Sequence, residues 1–188
     1  MFSQTMLTGL MAAALAGCGG GGDDREFPDV ERDVLEMFDD ISSLGISPVL
    51  FLPTSGTAEY EGYMGAADTS GAIIGDLQLT ADFGTDSISG TAKNFIDDEN
   101  TEYSGKLRIS NGGIFRTADP ATEWQIEADV NGILSTDEAS TSVNAVMLAD
   151  FYGGSQQGVV GILDGTATNQ FGTTFLDGSN TGVVAERQ

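Results

Sequence analysis

Histidine is absent from this chain, cysteine occurs once, at Cys18, and only 7 of the 188 residues are Lys or Arg. Without histidine the chain lacks the usual general base near neutral pH and the commonest transition-metal ligand. Ser-His-Asp and Cys-His catalysis are both excluded. A single cysteine rules out an intrachain disulfide and zinc sites built on cysteine pairs. The few cations face 29 Asp and Glu, for a formal net charge of −22. Phosphate binding needs clustered Lys and Arg, so nucleic acid is not an expected partner and adhesion to anionic lipid is disfavoured. The acidity reads first as a solubility device, with a cation or a basic partner as the other reading. Proline is scarce, at 4 residues, while glycine is plentiful, at 26. That mixture suits strands and tight turns. A 40% hydrophobic content is enough for one packed domain with appendages.

The lone cysteine has a context. Residues 1–17 contain an apolar run from Met6 to Gly17, too short to cross a bilayer, which takes roughly 20 apolar residues. The run ends Leu15-Ala16-Gly17-Cys18, which resembles the bacterial lipobox. The resemblance implies a signal peptide over 1–17, cleavage before Cys18, and acylation of that residue as the new N-terminus. More than one acyl chain gives stable anchoring. The segment before the apolar run departs from the usual signal, because it has no Lys or Arg. Gly19 to Gly22 and Asp23-Asp24 follow, so residues 18–28 read as a Gly-rich acidic tether. Gly19 after the cysteine implies, by the same resemblance, an outer-membrane lipoprotein. It leaves open whether the protein faces the cell surface or the periplasm.

Residues 29–45 are predicted to form a short amphipathic helix. Pro28 and Asp29 start it and Gly45 stops it. Val30, Val34, Met37, Ile41 and Leu44 recur at three- and four-residue steps, and Leu35 and Phe38 widen the stripe. The polar face is acidic, so docking on the following domain is expected rather than a role at a membrane surface.

From Thr57 the period changes to two. Tyr60, Gly62 and Met64 share a face against Glu59 and Glu61; Trp124, Ile126, Ala128 and Val130 oppose Gln125, Glu127 and Asp129. Eight half-buried strands are expected, near 57–64, 73–83, 86–95, 103–110, 123–131, 142–152, 157–164 and 180–186. The predicted fold is therefore all-β: a soluble, lipid-tethered, eight-stranded antiparallel up-and-down β-barrel over residues 55–188, with one short N-terminal helix. Inward glycines (Gly62, Gly75, Gly90, Gly105) would relieve crowding inside it. A membrane-spanning barrel is disfavoured, because the polar face is crowded with carboxylates.

Two neighbouring strands break the clean alternation. Val146, Leu148 and Tyr152 lie opposite the core face of "SVNAVMLADFYGG", and Val160 and Ile162 do the same in "GVVGILDG". Together they form a candidate outward apolar patch. The helix at 29–44 is expected to cover it. Otherwise the patch is scattered surface or a partner site.

The hairpin "DFYGGSQQGVVGILDG" resembles the Phe-Tyr-Gly signature in the barrel of transferrin-binding protein B-like lipoproteins. "GTAEYEGYM" is similar to that family's opening strand, "LQLTADFGTDSISGTAKNF" to its Leu-x-Val-Asp-Phe…Ile-x-Gly pair, and "GVVAER" to its closing strand. The resemblance covers about residues 55–188. It implies a lipid-anchored barrel with a protein-binding role. No handle domain and no long loops are legible here, and no ligand contact of the family maps onto these residues.

The functional expectation is an envelope lipoprotein that binds a protein or small nutrient ligand. The alternative is a structural lipoprotein with no dedicated ligand. The chain is not expected to be an enzyme or to hold a cofactor. The carboxylate pairs Glu59/Glu61 and Asp97/Asp98 read as solvated positions, and the acidic loop 97–100 lacks the alternation of an EF-hand. Missing histidine disfavours haem, with Tyr or Met ligation left open.

Overall fold

The computed structural model describes residues 25–68, 71–119 and 123–188. The expected leader and the expected lipidation site at Cys18 lie outside them. Strands are β1 (Thr57–Asp68), β2 (Gly71–Asp82), β3 (Ser87–Asp97), β4 (Glu102–Ile114), β5 (Ile126–Ser135), β6 (Ser140–Tyr152), β7 (Gly158–Asn169), β8 (Gly172–Leu176) and β9 (Thr181–Arg187). From β1 to β7 each strand pairs antiparallel with the next. β9 then pairs with β7 on one side and β1 on the other, which closes the barrel.

The closing stave is broken. β8 and β9 share one edge of β7: β8 takes Gly165–Asn169 and β9 takes Gly158–Gly161. The four-residue step from Gly161 to Gly165 faces the seven-residue step from Val183 back to Leu176, so residues 177–180 are pushed out as a loop. The Thr181 hydroxyl fills the gap in the ladder: it accepts the Leu163 N–H at 2.9 Å and donates to carbonyl oxygen. The fold is thus the expected eight-stranded barrel with one strand more than the alternation indicated. β8 escaped because "GTTFL" buries only Leu176. β4 and β7 also extend beyond their expected ends.

β5 differs in a more instructive way. It begins at Ile126, not at residue 123. Trp124 is therefore not a core residue but partly exposed, while Gln125, expected on the outer polar face, is fully buried. Gln125 Nε2 donates to the Ser47 carbonyl at 2.5 Å, its Oε1 accepts the Phe151 N–H at 3.1 Å, and its own N–H donates to Asp150 Oδ1 at 3.0 Å. Every polar group of the side chain is used, which is the condition for burying an amide. Around it the chain caps one end of the barrel. Ser47 Oγ donates to the Gly153 carbonyl, Tyr60 Oη to that of Gln156, and Gln156 Nε2 to that of Phe51. Arg116 spans the same end, bonding Asp86 and the carbonyls of Leu52, Pro53 and Phe83.

The core just inside this cap is aromatic. Phe151 lies between Tyr60 and Phe83, with ring centroids at 6.0 and 5.5 Å. These rings fill the barrel at its capped end, where tilted pairs pack well. The inward Gly75 gives room for the Phe95 ring, whose atoms lie 2.6 Å from where a Cβ would stand. The outer face carries Glu59, Glu61, Arg108, Glu127 and Asp164 exposed to water, the opposite of a lipid-facing apolar band.

Helix α1 (Phe27–Ser42) starts two residues earlier than expected, on Pro28 in its first turn, and ends before Gly45, whose φ is +73°. It lies along the outside of the barrel. At its start Phe27 and Val30 pack on Ile96; at its end Ile41 packs on Val160 and Val184, with Met37, Tyr63 and Tyr152 around them. Gly158 permits this approach, because a Cβ there would lie 2.5 Å from Ile41 Cγ2. Leu35, Phe38 and Leu44 belong to the sequence stripe but remain exposed. The stripe is wider than the groove that receives it.

Two outcomes follow from this packing. Ile41→Ala is expected to cost about 2–4 kcal/mol in denaturant unfolding, the range for a truncated buried aliphatic, while Leu35→Ala should stay within about 0.5 kcal/mol. Asp150 is buried, and burial holds its carboxyl above the ordinary range despite the Gln125 N–H that favours the charged form. A folded-state value above the unfolded one gives a contribution complete below the unfolded pKa and lost as pH rises through the folded one. Asp150→Asn keeps the acceptor for Gln125 N–H and removes that loss. It should be more stable than the parent near neutral pH, with the difference closing below about pH 4; unfolding curves across that window check it.

Candidate functional site: the open end of the barrel

The end opposite the aromatic plug is hollow. The chain turns there between β1 and β2, β3 and β4, β5 and β6, and β7 and β8. A cavity of about 340 Å³ opens between these turns. Its walls are aliphatic and small: Met64, Ile73, Leu107, Leu134, Val143 and Leu163 reach into it, with Ala66 and Ala167 where larger residues would fill it. Phe95 and Tyr103 add aromatic surface. The volume lies in the range of small-molecule sites, roughly 300–1,000 Å³. An eight-stranded barrel has an interior that side chains just fill or that holds one small ligand, and this barrel does one at each end.

The rim is polar and acidic. Asp68, Asp97, Asp98 and Glu99 border the opening with Thr141, Thr174 and Asn180, and none of the seven basic side chains of the chain lines it. The β3–β4 turn is rigidly built. Asp97 Oδ1 accepts the Glu99 and Thr101 N–H groups at 3.0 and 2.7 Å, and Asn100 adopts φ +63°. Asp98 lies over Gly71, so its carboxylate closes against the β1–β2 turn. Tyr103 Oη donates to Asp97 Oδ2 at 3.1 Å, and burial first, then the Asp97 charge, push its phenol up. The acidic loop 97–100 is thereby explained as a hydrogen-bonded turn. Among the described residues no group of three or more His, Cys, Asp or Glu is placed to hold a metal ion.

The residues singled out in the sequence fall elsewhere. Val160 is buried under α1 beside Ile41, and Tyr152 packs in the same cluster. Val146, Leu148 and Ile162 are half-buried on the outer face and outside that cluster. Leu148 and Ile162 are cross-strand partners, and Ile162 Cδ1 lies 3.1 Å from a Cβ position at Gly178. The helix therefore covers the end of the patch nearest the cap, and the 177–180 loop adjoins Ile162. Glu59 and Glu61 point away from the barrel, with Glu61 accepting from Gln78 Nε2 at 3.2 Å.

Sequence reading missed the cavity because alternation identifies which side chains point inward and not whether they fill the space. Residue size alone gives no clean signal: Ala58, Ala81 and Ala149 point inward beside the aromatic rings of the capped end, and Met64, Leu107 and Leu134 line the cavity beside Ala66 and Ala167. No protein-family model matches the chain, and no curated protein matches it.

The Tyr103–Asp97 pair gives a spectroscopic check. In a background with Tyr60, Tyr63 and Tyr152 changed to Phe, ultraviolet titration should show Tyr103 ionising above an ordinary tyrosine. Asp97→Asn removes the charge that opposes phenolate and should lower that midpoint.

Proposed function

We propose that this chain is a lipid-tethered envelope barrel that binds a small, largely apolar molecule in the open end. The observation that carries the reading is the 340 Å³ cavity with its aliphatic wall. Burying apolar ligand surface there supplies roughly 25 cal/mol per Å² before association costs. The carboxylate rim disfavours an anionic head group, so the ligand is neutral or cationic. The lipobox-like Leu15-Ala16-Gly17-Cys18 supports the envelope setting.

The likeness to transferrin-binding protein B-like barrels belongs to this proposal, and the packing explains what its motif does. Phe151 is the centre of the aromatic plug, Tyr152 packs beside α1, and Gly153, at φ +78°, donates its N–H to the Gly45 carbonyl. Those residues serve the fold of the capped end. They carry no information about a ligand at the other end, so host-protein capture does not transfer with them. The short turns and the docked helix favour a small ligand over a protein one.

The test is a pair of ligands and one variant. A long-chain alkyl amine should bind saturably and about tenfold or more tighter than the alkyl sulfate of equal length, a difference of about 1.4 kcal/mol. Ala167→Phe should remove binding while leaving the unfolding midpoint close to the parent's. Binding that is unchanged in Ala167→Phe would place the ligand outside the barrel. No saturable binding of either amphiphile would favour the structural alternative.

A further inference from the structure

Several features collect at the mouth end that a binding cavity alone does not require. The chain enters the fold there. The Phe27 N–H donates to Asn100 Oδ1 in the β3–β4 turn at 2.8 Å, and Arg25 bonds the Asn94 carbonyl at 3.0 Å and pairs with Asp76 at 2.5 Å. The seven peptide units from Cys18 to Arg25 reach at most about 25 Å. Any lipid on Cys18 thus starts near the mouth. The mouth also carries bare aromatic surface. Phe171 sits at the tip of the β7–β8 hairpin, 80% exposed, and Phe175 on the outer side of β8 is 73% exposed. Neither lines the cavity.

A competing apolar surface exists at the capped end, where Leu50 and Phe51 are exposed. It lies beyond the far end of α1, a helix of 16 residues and so about 24 Å long. The tether would be spent in full merely to run back along the barrel to that level. Charge decides what kind of surface the mouth can meet. The carboxylates at the rim repel an anionic bilayer and leave a zwitterionic one.

We propose that the mouth end is a lipid-docking face: held by Cys18, the barrel sets Phe171 and Phe175 into the interfacial layer of a zwitterionic membrane, and its cavity opens toward the lipid. The inference rests on the tether reading and gives the cavity a source of ligand, since an apolar molecule would pass between bilayer and barrel without crossing water. Interfacial apolar groups sit roughly 5–10 Å deep, at the headgroup–acyl boundary, which is within range of a quencher on the acyl chains.

The chain contains what the experiment needs. Cys18 is the sole cysteine, so a maleimide-bearing dialkyl lipid couples at one site. Trp124 is the sole tryptophan and lies at the capped end. The lipid-coupled protein is bound to phosphatidylcholine vesicles whose acyl chains carry bromine, and tryptophan emission is compared with that on unbrominated vesicles. With Trp124 alone, little quenching is expected. With Trp124→Phe combined with Phe171→Trp, quenching should be several-fold greater, and Phe175→Trp in the same background serves as a second reporter should the first not fold. Equal quenching at the two ends, stronger quenching of Trp124, or none at the mouth reporters would overturn the docking. No added ligand enters this measurement, and acylation of Cys18 in the source cells is read separately from the mass of the N-terminal peptide. Failure of the docking is therefore distinguishable from failure of the tether or the cavity reading.

Discussion

A closed eight-stranded barrel encloses an interior about as wide as the side chains that point into it, so residue size along each strand determines whether it is solid or hollow. Every other feature of this molecule follows from how that space is divided. At one end the rings of Tyr60 and Phe83 both pack on Phe151. At the other, alanine and aliphatic side chains leave a cup. A protein interior is normally close-packed, and a void forfeits dispersion contacts on its walls. An apolar cavity open to solvent is a stability cost carried at one end of the barrel. It can be carried because the capped end is so fully tied: Gln125, Gln156, Ser47 and Asp150 are all buried there, and no buried side-chain nitrogen or oxygen among the described residues lacks a partner.

The same division shapes the edges. Closure needs a stave between β7 and β1, and β9 alone is too short to run the full length. Near the cap it pairs on both sides. Toward the mouth the ladder pairing passes to β8, which pairs with β7 and reaches β1 through the Thr174 hydroxyl on Asp68, after the 177–180 loop has left the ladder. The mouth is therefore where the barrel's hydrogen bonding is least complete, and where its interior is least filled. α1 covers strands at the closure, packing on β9, β7, β1 and β2. Its Ile41 sits on Val160 and Val184, one residue from each of the two strands that meet there. The helix thus covers the stretch where β9 pairs with both neighbours, while Ile162, beside the break, lies outside that cluster.

Much of this was legible in the sequence because burial on one face imposes a period of two, and the period survives without any knowledge of partners. The inward sets of β2 and β6 read directly from "IIGDLQLTADF" and "SVNAVMLADF". What was not legible depended on tertiary partners. Gln125 looks solvated beside Glu123 and Glu127, and only the Ser47 and Phe151 backbone groups make it a core residue. Leu35 and Phe38 look packed on a helical wheel, yet the barrel surface buries only Phe27, Val30 and Ile41 of the helix and leaves both exposed. β8 has almost no inward side to bury, so periodicity had nothing to detect. The patch was seen as one surface but is divided between a helix, a loop and half-exposed wall.

Polarity along the barrel axis links these parts. The helix runs from the mouth, where Asn100 receives its first N–H, to the cap, where Gly45 and Ser47 meet Gly153 and Phe151. One end of the helix is thus bonded to the turn that forms the rim, and the other to the turn that forms the plug. The helix starts beside β2 and β3 at the mouth and reaches β7 and β9 at the cap before the barrel begins. The hollow end is the end where the helix begins, and the packed end is the one where it stops. A barrel arranged in this order keeps its stability remote from whatever its mouth touches. The loosely closed rim can then move without disturbing the core on which the fold depends.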